Sequence, residues 1–152
     1  MYMLSDLLSE GLVQLGVEAA DWKEAIYKAT KPMVDAQLVT EGYVEDIIRG
    51  KEELGPYFVL TEHVALPHAR PECGALESGI GIVTLKTPVE FGSEANDPVK
   101  YLFPLAAKDS DAHLSALQSL VELLGDPDFF DQLDAAKTPK DVMDLVHAKE
   151  GK

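Results

Sequence analysis

The chain has 152 residues, which predicts one domain, spanning residues 1–152, that is large enough to build its own hydrophobic core. Hydrophobic residues make up 46% of the chain and charged residues 26%, a balance typical of soluble globular proteins. The formal net charge of −14 argues against binding to nucleic acid or to an anionic membrane, because the phosphates of both would repel this surface.

The N-terminal segment MYMLSDLLSEGLVQL is predicted to form an amphipathic helix. Acidic residues interrupt its apolar positions and no basic stretch precedes them, which is unlike a signal peptide. No run in the chain reaches the roughly 18 apolar residues that a membrane span needs. Cys73 is the only cysteine, so an intramolecular disulfide is excluded, as suits a reducing compartment. These features predict a cytoplasmic protein.

Two amphipathic helices are predicted in the first third of the chain. Asp21 is the N-cap candidate of the first, whose apolar residues recur at helical spacing and in which Pro32 is expected to produce a kink. Thr40 is the N-cap candidate of the second, which ends at Gly55. The apolar stripe of the second helix is expected to consist of Tyr43, Val44, Ile47 and Ile48.

The middle of the chain is predicted to form short strands. The segments YFVL, HVAL, GIGIVTL and VEF are rich in β-branched and aromatic residues and are separated by glycine and proline. The segment VKYLFPLAA adds another strand, in which Pro104 indicates a sheet edge, a strand end or a bulge.

Three helices are predicted after the strands. Ser110 is the N-cap candidate of the first, which ends at Gly125. A shorter helix follows over 127–136, and the last has Thr138 as its cap and Pro139 at its first position. The apolar face of the first of the three is expected to consist of Leu114, Leu117, Leu120, Val121 and Leu124. Helices at both ends of the chain can cover the strands, so the predicted fold is α/β, with a mixed central sheet flanked by helices on both sides.

His68 is the first candidate for chemistry. Pro67 fixes its own φ and biases Leu66 towards an extended conformation, so the strand should hold His68 rigidly at its end. Strand alternation places Glu62 and His68 on one face and His63 on the other, which makes the two histidines poor co-ligands for a metal ion. A histidine that only packs or points to solvent is the alternative.

Arg70 supplies a permanent cation two residues after His68. A guanidinium beside an imidazole disfavours the imidazolium and keeps the ring a neutral nucleophile. It can also hold a phosphoryl group through paired hydrogen bonds. A solvated loop arginine is the alternative interpretation.

His113 is the second informative histidine. With Ser110 as N-cap, it falls at the third helical position, in the turn where free N–H groups and the helix dipole favour anions. A helix start also lowers the pKa of a histidine, which leaves a neutral ring that can donate one hydrogen bond. A core histidine is the alternative. His147 lies in the last turn of the final helix, and Cys73 lacks the third orienting group of a Cys–His nucleophile pair.

Two blocks of the sequence carry a family resemblance. GPYFVLTEHVALPHARPE and, further on, GIGIVTLKTPVEFGSEANDPVKYLFPLAAKDSDAH resemble the IIA component of bacterial sugar phosphotransferase systems (PTS), in the mannitol/fructose superfamily. Members of this superfamily carry a Pro-His signature at the phosphorylated histidine. The blocks GPYFVL, A-x-PH-x-RPE and NDP are most similar to the ascorbate branch. The resemblance implies a mixed sheet flanked by helices.

The resemblance further implies a phosphoryl relay. The phosphocarrier HPr would phosphorylate His68, which would pass the phosphoryl group to a cysteine of a cognate IIB protein that feeds the membrane transporter IIC. His113 matches the second histidine of the family site, which stabilises the phosphoryl group. Arg49 is the candidate for the family's arginine at a helix end, and Glu62 falls where the mannitol branch has an acidic residue. The relay requires no metal or other cofactor, because it depends on positioning.

Two other functions remain open from the residues alone. A IIA-like domain could signal to a partner through the phosphorylation state of His68 instead of feeding transport. A metal-dependent hydrolase would use His63, His68 and His113, although strand alternation disfavours that set.

Overall fold

The computed structural model describes residues 4–150 of the chain. The helices are α1 (Leu4–Leu7), α2 (Trp22–Asp35), α3 (Glu41–Leu54), α4 (Ser110–Leu124), α5 (Phe129–Ala135) and α6 (Pro139–Glu150). The strands are β1 (Val13–Val17), β2 (Val59–Thr61), β3 (Val64–Ala65), β4 (Gly79–Ile80), β5 (Ile82–Val89), β6 (Val99–Leu102) and β7 (Leu105–Ala106). Single 3₁₀ turns lie at Glu10–Leu12 and Pro71–Cys73.

The central sheet is mixed, as predicted. Its five strands follow the order β1-β5-β6-β3-β2, in which β1 is parallel to β5 and β3 is parallel to β6. The pairs β5–β6 and β2–β3 are antiparallel. Pro104 separates β6 from β7, and β7 pairs with β4 in a second, two-stranded sheet. The predicted strand interruption at this proline is therefore confirmed.

Hydrophobic cores cover both faces of the central sheet. One core contains the buried stripes of α2 and α3, and the other contains apolar residues of α1, α4, α5 and α6. Strand β3 contributes to both, since Ala65 lies in the first core while Val64 and the following Leu66 lie in the second. The predicted arrangement of helices on both sides of the sheet is confirmed. None of the helices in the described range is long and apolar enough to cross a bilayer.

The predicted N-terminal helix is wrong beyond Leu7. Residues 13–17 form β1, an edge strand of the central sheet, and Gly16 has a φ of +66° at an irregularity in its pairing with β5. The Gly16 N–H donates to Thr84 Oγ1 at 2.9 Å. A left-handed glycine does not fit a helix, and pairing with β5 decides the conformation. The first three residues of the predicted helix, 1–3, lie outside the described range.

Helices α2 and α3 begin as predicted. The side chain of Asp21 accepts from the Glu24 N–H, and that of Thr40 accepts from the Tyr43 N–H. Pro32 lies inside α2 and cannot donate to the carbonyl four residues earlier. That carbonyl belongs to Lys28, and Nε2 of Gln14 in β1 donates to it at 2.8 Å. A side chain of the neighbouring strand therefore replaces the backbone donor that proline lacks.

Two predictions for α4 are wrong, its N-cap and its buried face. Its N-cap is Asp109, whose Oδ1 accepts from the Ala112 N–H at 2.8 Å, so Ser110 is the first helical residue. Leu114 and Val121 are not buried but 57% and 63% exposed. The helix packs beside α1 and α5, and its buried stripe, which includes two alanines, is rotated from the predicted face. The buried residues of α4 are Ala112, Ala116, Leu120 and Leu123.

The C-terminal helices follow the prediction closely. Helix α5 is shorter than the predicted 127–136 segment, and Thr138 caps α6 by accepting from the Asp141 N–H at 3.1 Å. The Asp141 carboxylate in turn accepts from the Thr138 N–H, as in a capping box. His147 lies in the last turn of α6, as expected.

Candidate functional site

A pocket of about 430 Å³ lies between the chain that follows β3 and the beginning of α4. Its lining residues are Leu54, Tyr57, His68, Ala69, Arg70, Pro71, Ser110 and His113. No carboxylate is found in this lining, as far as the described residues go, although the chain contains 27 acidic residues. The pocket therefore combines two imidazoles and a guanidinium in a chain whose net charge is strongly negative.

Backbone hydrogen bonds hold the segment that leads to His68 on both sides. The Leu66 N–H donates to Phe58 O at 2.8 Å, and the Leu105 N–H donates to Pro67 O at 3.0 Å. Both Leu66 and Pro67 are buried. The strand pattern thus extends beyond β3 and carries His68 into the pocket, as the Pro-His sequence predicts.

The imidazole of His68 has a defined orientation. Its Nδ1 lies 2.6 Å from Leu66 O. A carbonyl oxygen only accepts hydrogen bonds, so Nδ1 carries the hydrogen of the neutral ring. The lone pair of Nε2 is then available as a nucleophile or a ligand.

His113 lies beside His68 in the pocket. The two ring centroids are 5.3 Å apart and the rings are inclined by 53°. Burial, and secondly the nearby His68, lower the pKa of His113 below its ordinary value. The lowered pKa is as expected, but its causes are burial and His68 and not the helix start, and the ring is neutral at pH 7. It is half-buried and faces the pocket from the fourth position of α4, one position later than predicted.

Arg70 is exposed at the edge of the pocket. It directly precedes the 3₁₀ turn Pro71–Cys73, and its backbone is extended. No ion pair joins its guanidinium to a carboxylate in the described part of the chain. The cation can therefore neutralise an anion that enters the pocket.

Arg49 and Glu62 lie outside the pocket lining. Arg49 is on α3, exposed, and forms an ion pair with Asp46. Glu62 follows β2, and its carboxylate lies 3.1 Å from Nε2 of His63. His63 itself occupies the turn between β2 and β3, with a φ of +69°, and is not a strand residue as predicted. The structure separates it from His68, as expected, but through a turn and not through strand alternation.

Tyr57 and Tyr43 contact the main chain at His68 and Ala69. Neither tyrosine is predicted from the sequence as a site residue. The Tyr57 hydroxyl donates to His68 O at 2.6 Å, and the two rings meet edge-to-face at 5.6 Å between centroids. The Ala69 N–H donates to Tyr43 Oη at 3.1 Å. The only sequence signal for Tyr57 is its place in the GPYFVL block, and Tyr43 is predicted only as a core residue of its helix.

The donor chemistry of the site does not suit a metal ion. Over residues 4–150, no three side chains of histidine, cysteine, aspartate or glutamate are grouped so that they could hold one. Cys73 is a half-buried free thiol and is absent from the pocket lining. Neither the His63–His68–His113 metal set nor a Cys–His nucleophile pair is supported by this geometry.

Known proteins with a similar sequence or structure place the chain in a family. The family model for the phosphoenolpyruvate-dependent sugar phosphotransferase system, EIIA 2, matches residues 6–149. The ascorbate-specific PTS system EIIA component of Escherichia coli K12 is 39% identical over 145 residues, which cover 94% of each chain.

Two solved structures resemble this one closely. The solution structure of the mannitol-specific cryptic phosphotransferase enzyme IIA of E. coli has a TM-score of 0.87 and 36% identity, covering 97% of this chain and 99% of that one. The complex of enzyme IIA-Mtl with phosphorylated enzyme IIB-Mtl from E. coli contains a chain with a TM-score of 0.80 and 26% identity, covering 93% and 99%. The chain therefore belongs to the EIIA 2 family of phosphoenolpyruvate-dependent sugar phosphotransferase systems, and resembles its ascorbate-specific and mannitol-type components.

Proposed function

We propose that this protein is a phosphoryl carrier that accepts a phosphoryl group from HPr on His68 and passes it to a cysteine of a cognate IIB component. The observation that carries the proposal is the orientation of His68, whose Nδ1 is bound to Leu66 O while Nε2 remains available beside His113. Ascorbate or a related sugar is the proposed cargo of the transporter, because the ascorbate-specific relative is among the most similar proteins.

The transfer needs no separate base. The lone pair of Nε2 on His68 attacks phosphorus while the nitrogen–phosphorus bond to the HPr histidine breaks. Nδ1 keeps its hydrogen, and Leu66 O shares the positive charge that develops on the ring. In the second step a thiolate sulfur attacks phosphorus, the bond to Nε2 breaks, and the neutral ring is restored.

His113 and Arg70 have complementary proposed roles. His113 is neutral, because burial and His68 lower its pKa, and it can donate one N–H to a phosphoryl oxygen. Arg70 supplies the full positive charge at the pocket edge. The absence of carboxylates from the described lining avoids repulsion of the phosphoryl dianion. Together these groups would stabilise the adduct through hydrogen bonding and charge.

The proposed partners follow from the relatives. One similar chain was solved in complex with its phosphorylated IIB protein, which supports a IIB component as the acceptor here. HPr is proposed as the donor and a IIC transporter as the indirect partner, so the relay would operate at the cytoplasmic side of the membrane.

Labelling with phosphoenolpyruvate tests the proposal. Incubation with the general PTS proteins and labelled phosphoenolpyruvate is expected to give one acid-labile, alkali-stable phosphate per chain. His68→Ala should abolish it, while the exposed, remote His147→Ala should keep it. Normal labelling of the His68→Ala protein would overturn the assignment. Labelling without onward transfer to any IIB protein would instead indicate a regulatory phosphoprotein.

A further inference from the structure

A single peptide group, the one between His68 and Ala69, is held by two tyrosine hydroxyls. Tyr57 donates to its carbonyl oxygen at 2.6 Å, and its N–H donates to Tyr43 Oη at 3.1 Å. The Tyr43 hydroxyl donates to Leu105 O at 2.8 Å, and Ala69 O is a second acceptor at 3.1 Å. We propose that Tyr57 and Tyr43 are positioning residues that fix the direction of the His68 imidazole through this peptide group. The inference rests on the proposed role of His68.

The peptide group controls the imidazole because its orientation sets ψ of His68. Two hydrogen bonds on opposite ends of one peptide plane prevent its rotation. The direction of the His68 Cα–Cβ bond is then fixed. The hydrogen bond from Nδ1 to Leu66 O prevents the ring from rotating about its side-chain bonds. Nε2 is thereby held for in-line attack, a reaction whose rate depends steeply on sub-ångström placement.

Both tyrosines approach the peptide group from α3 or from the chain directly after it, but they differ in exposure. Tyr43 lies in α3 and is 1% exposed, whereas Tyr57 follows α3 and is 39% exposed. Burial raises the pKa of Tyr43 to about 12, and burial also raises the pKa of Tyr57. Both hydroxyls therefore keep their hydrogen at neutral pH, as their bonds to the carbonyls of Leu105 and His68 require.

Gly50 provides the space that Tyr57 occupies. A Cβ added at Gly50 would lie 3.2 Å from Cε1 and 3.3 Å from Oη of Tyr57. Gly50 is inside α3, where glycine is less favourable than alanine. The ring of Tyr57 therefore rests directly on the helix backbone, and this contact sets how far its hydroxyl reaches towards His68.

Tyr57→Phe is the first test, because it keeps the ring and removes only the donor. We expect the single-turnover rate of phosphorylation by phosphorylated HPr, at saturating donor, to fall about tenfold or more. The concentration of HPr that gives half the maximal rate should stay the same. Tyr27→Phe is the matched control, since Tyr27 is an exposed tyrosine on α2 whose hydroxyl donates to Glu45. It should keep the wild-type rate.

Nuclear magnetic resonance tests the position of the His68 ring without a phosphorylation assay. The ¹⁵N shifts of the His68 imidazole should show hydrogen on Nδ1 in the wild type. In Tyr57→Phe they should move towards the values of an unconstrained imidazole, in which the two neutral tautomers are mixed. Tyr27→Phe should leave them unchanged. Tyr43→Phe should change them too, provided that circular dichroism shows the variant to be folded.

Gly50→Ala separates positioning from stability. The added methyl group displaces the Tyr57 ring by a few tenths of an ångström while it favours the helix. We therefore expect a melting temperature equal to or above that of the wild type together with slower phosphorylation.

The outcomes distinguish the two proposals. If the wild type itself is not phosphorylated, the proposed function fails. If the wild type is phosphorylated and Tyr57→Phe matches it in rate and in imidazole shifts, the positioning role is refuted and the carrier function stands. A changed half-saturating HPr concentration at an unchanged maximal rate would also refute positioning, because it would make Tyr57 a docking residue.

Discussion

The imidazole rings of His68 and His113 lie 5.3 Å apart between centroids, although one follows strand β3 and the other lies in the first turn of helix α4. Their proximity brings two imidazoles with different surroundings into one pocket. The different environments of the two rings follow from their positions: His68 is bound to Leu66 O, while burial and His68 lower the pKa of His113.

The first prediction concerns His113→Ala. The nucleophile remains intact, so labelling of His68 is expected to survive. Loss of one hydrogen-bond donor to the phosphoryl group should slow onward transfer to IIB by about 10²-fold, the usual effect of removing one such donor. Stopped-flow or quench-flow measurement of the two half-reactions distinguishes them. If neither half-reaction were slowed in His113→Ala, His113 would not contact the phosphoryl group.

The second prediction concerns pH. The pKa of His113 is lowered in the folded chain, so below the unfolded value of about 6.5 the unfolded state binds more protons than the folded state. This contribution to stability is complete above that pH and decreases as the pH falls towards the folded pKa. The difference in unfolding free energy between the wild type and His113→Gln, measured in urea, should therefore change over this window. A constant difference would contradict the assignment.

The third prediction compares the two arginines. Arg70 lines the pocket, whereas Arg49 pairs with Asp46 away from it. Loss of one hydrogen bond to a charged group costs about 1.5 kcal/mol or more, so Arg70→Ala should slow phosphorylation about tenfold. Arg49→Ala should have a smaller effect in the same assay. A larger loss for Arg49→Ala would show that Arg49 is the main phosphoryl-supporting cation.

The fourth prediction concerns the loop that carries the site. Gly74 has a φ of +137°, and a Cβ there would overlap Thr40 Oγ1 and lie 3.2 Å from Cβ of Tyr43. Gly74→Ala is therefore expected to lower the unfolding free energy by about 1–3 kcal/mol. Gly42→Ala is the control: its Cβ would lie 3.5 Å from Thr40 Oγ1, an ordinary contact. A Gly74→Ala protein as stable as the wild type would show that the loop relaxes freely.

Local chemistry made much of the fold predictable. Asp21, Thr40 and Thr138 cap helices as predicted, because a cap depends on its own side chain and the next turn. Strand β1 was missed because residues 13–17 acquire their conformation from pairing with β5, which lies far away in sequence. At α4 the predicted cap, Ser110, is wrong by one residue, because the preceding Asp109 accepts from the Ala112 N–H.

The chemical site was predictable only in part. His68, His113 and Arg70 carry a signature or a helix position, and they do line one pocket. The two tyrosines were not recognised, because their hydroxyls meet the His68–Ala69 peptide only through tertiary packing. Likewise, Leu114 is exposed because the neighbours of α4, among them α1 and α5, cover a face that contains Ala112 and Ala116, and helical periodicity alone does not indicate which face is covered.

The contribution of β3 to both cores has a consequence for cooperativity. Tyr43 belongs to the core on one face of the sheet, and α4, which carries His113, packs into the core on the other face. The pocket is therefore assembled from two halves that no local segment can form alone. Partial unfolding of either half separates the groups around His68, so the pocket is complete only in a chain in which both halves are folded.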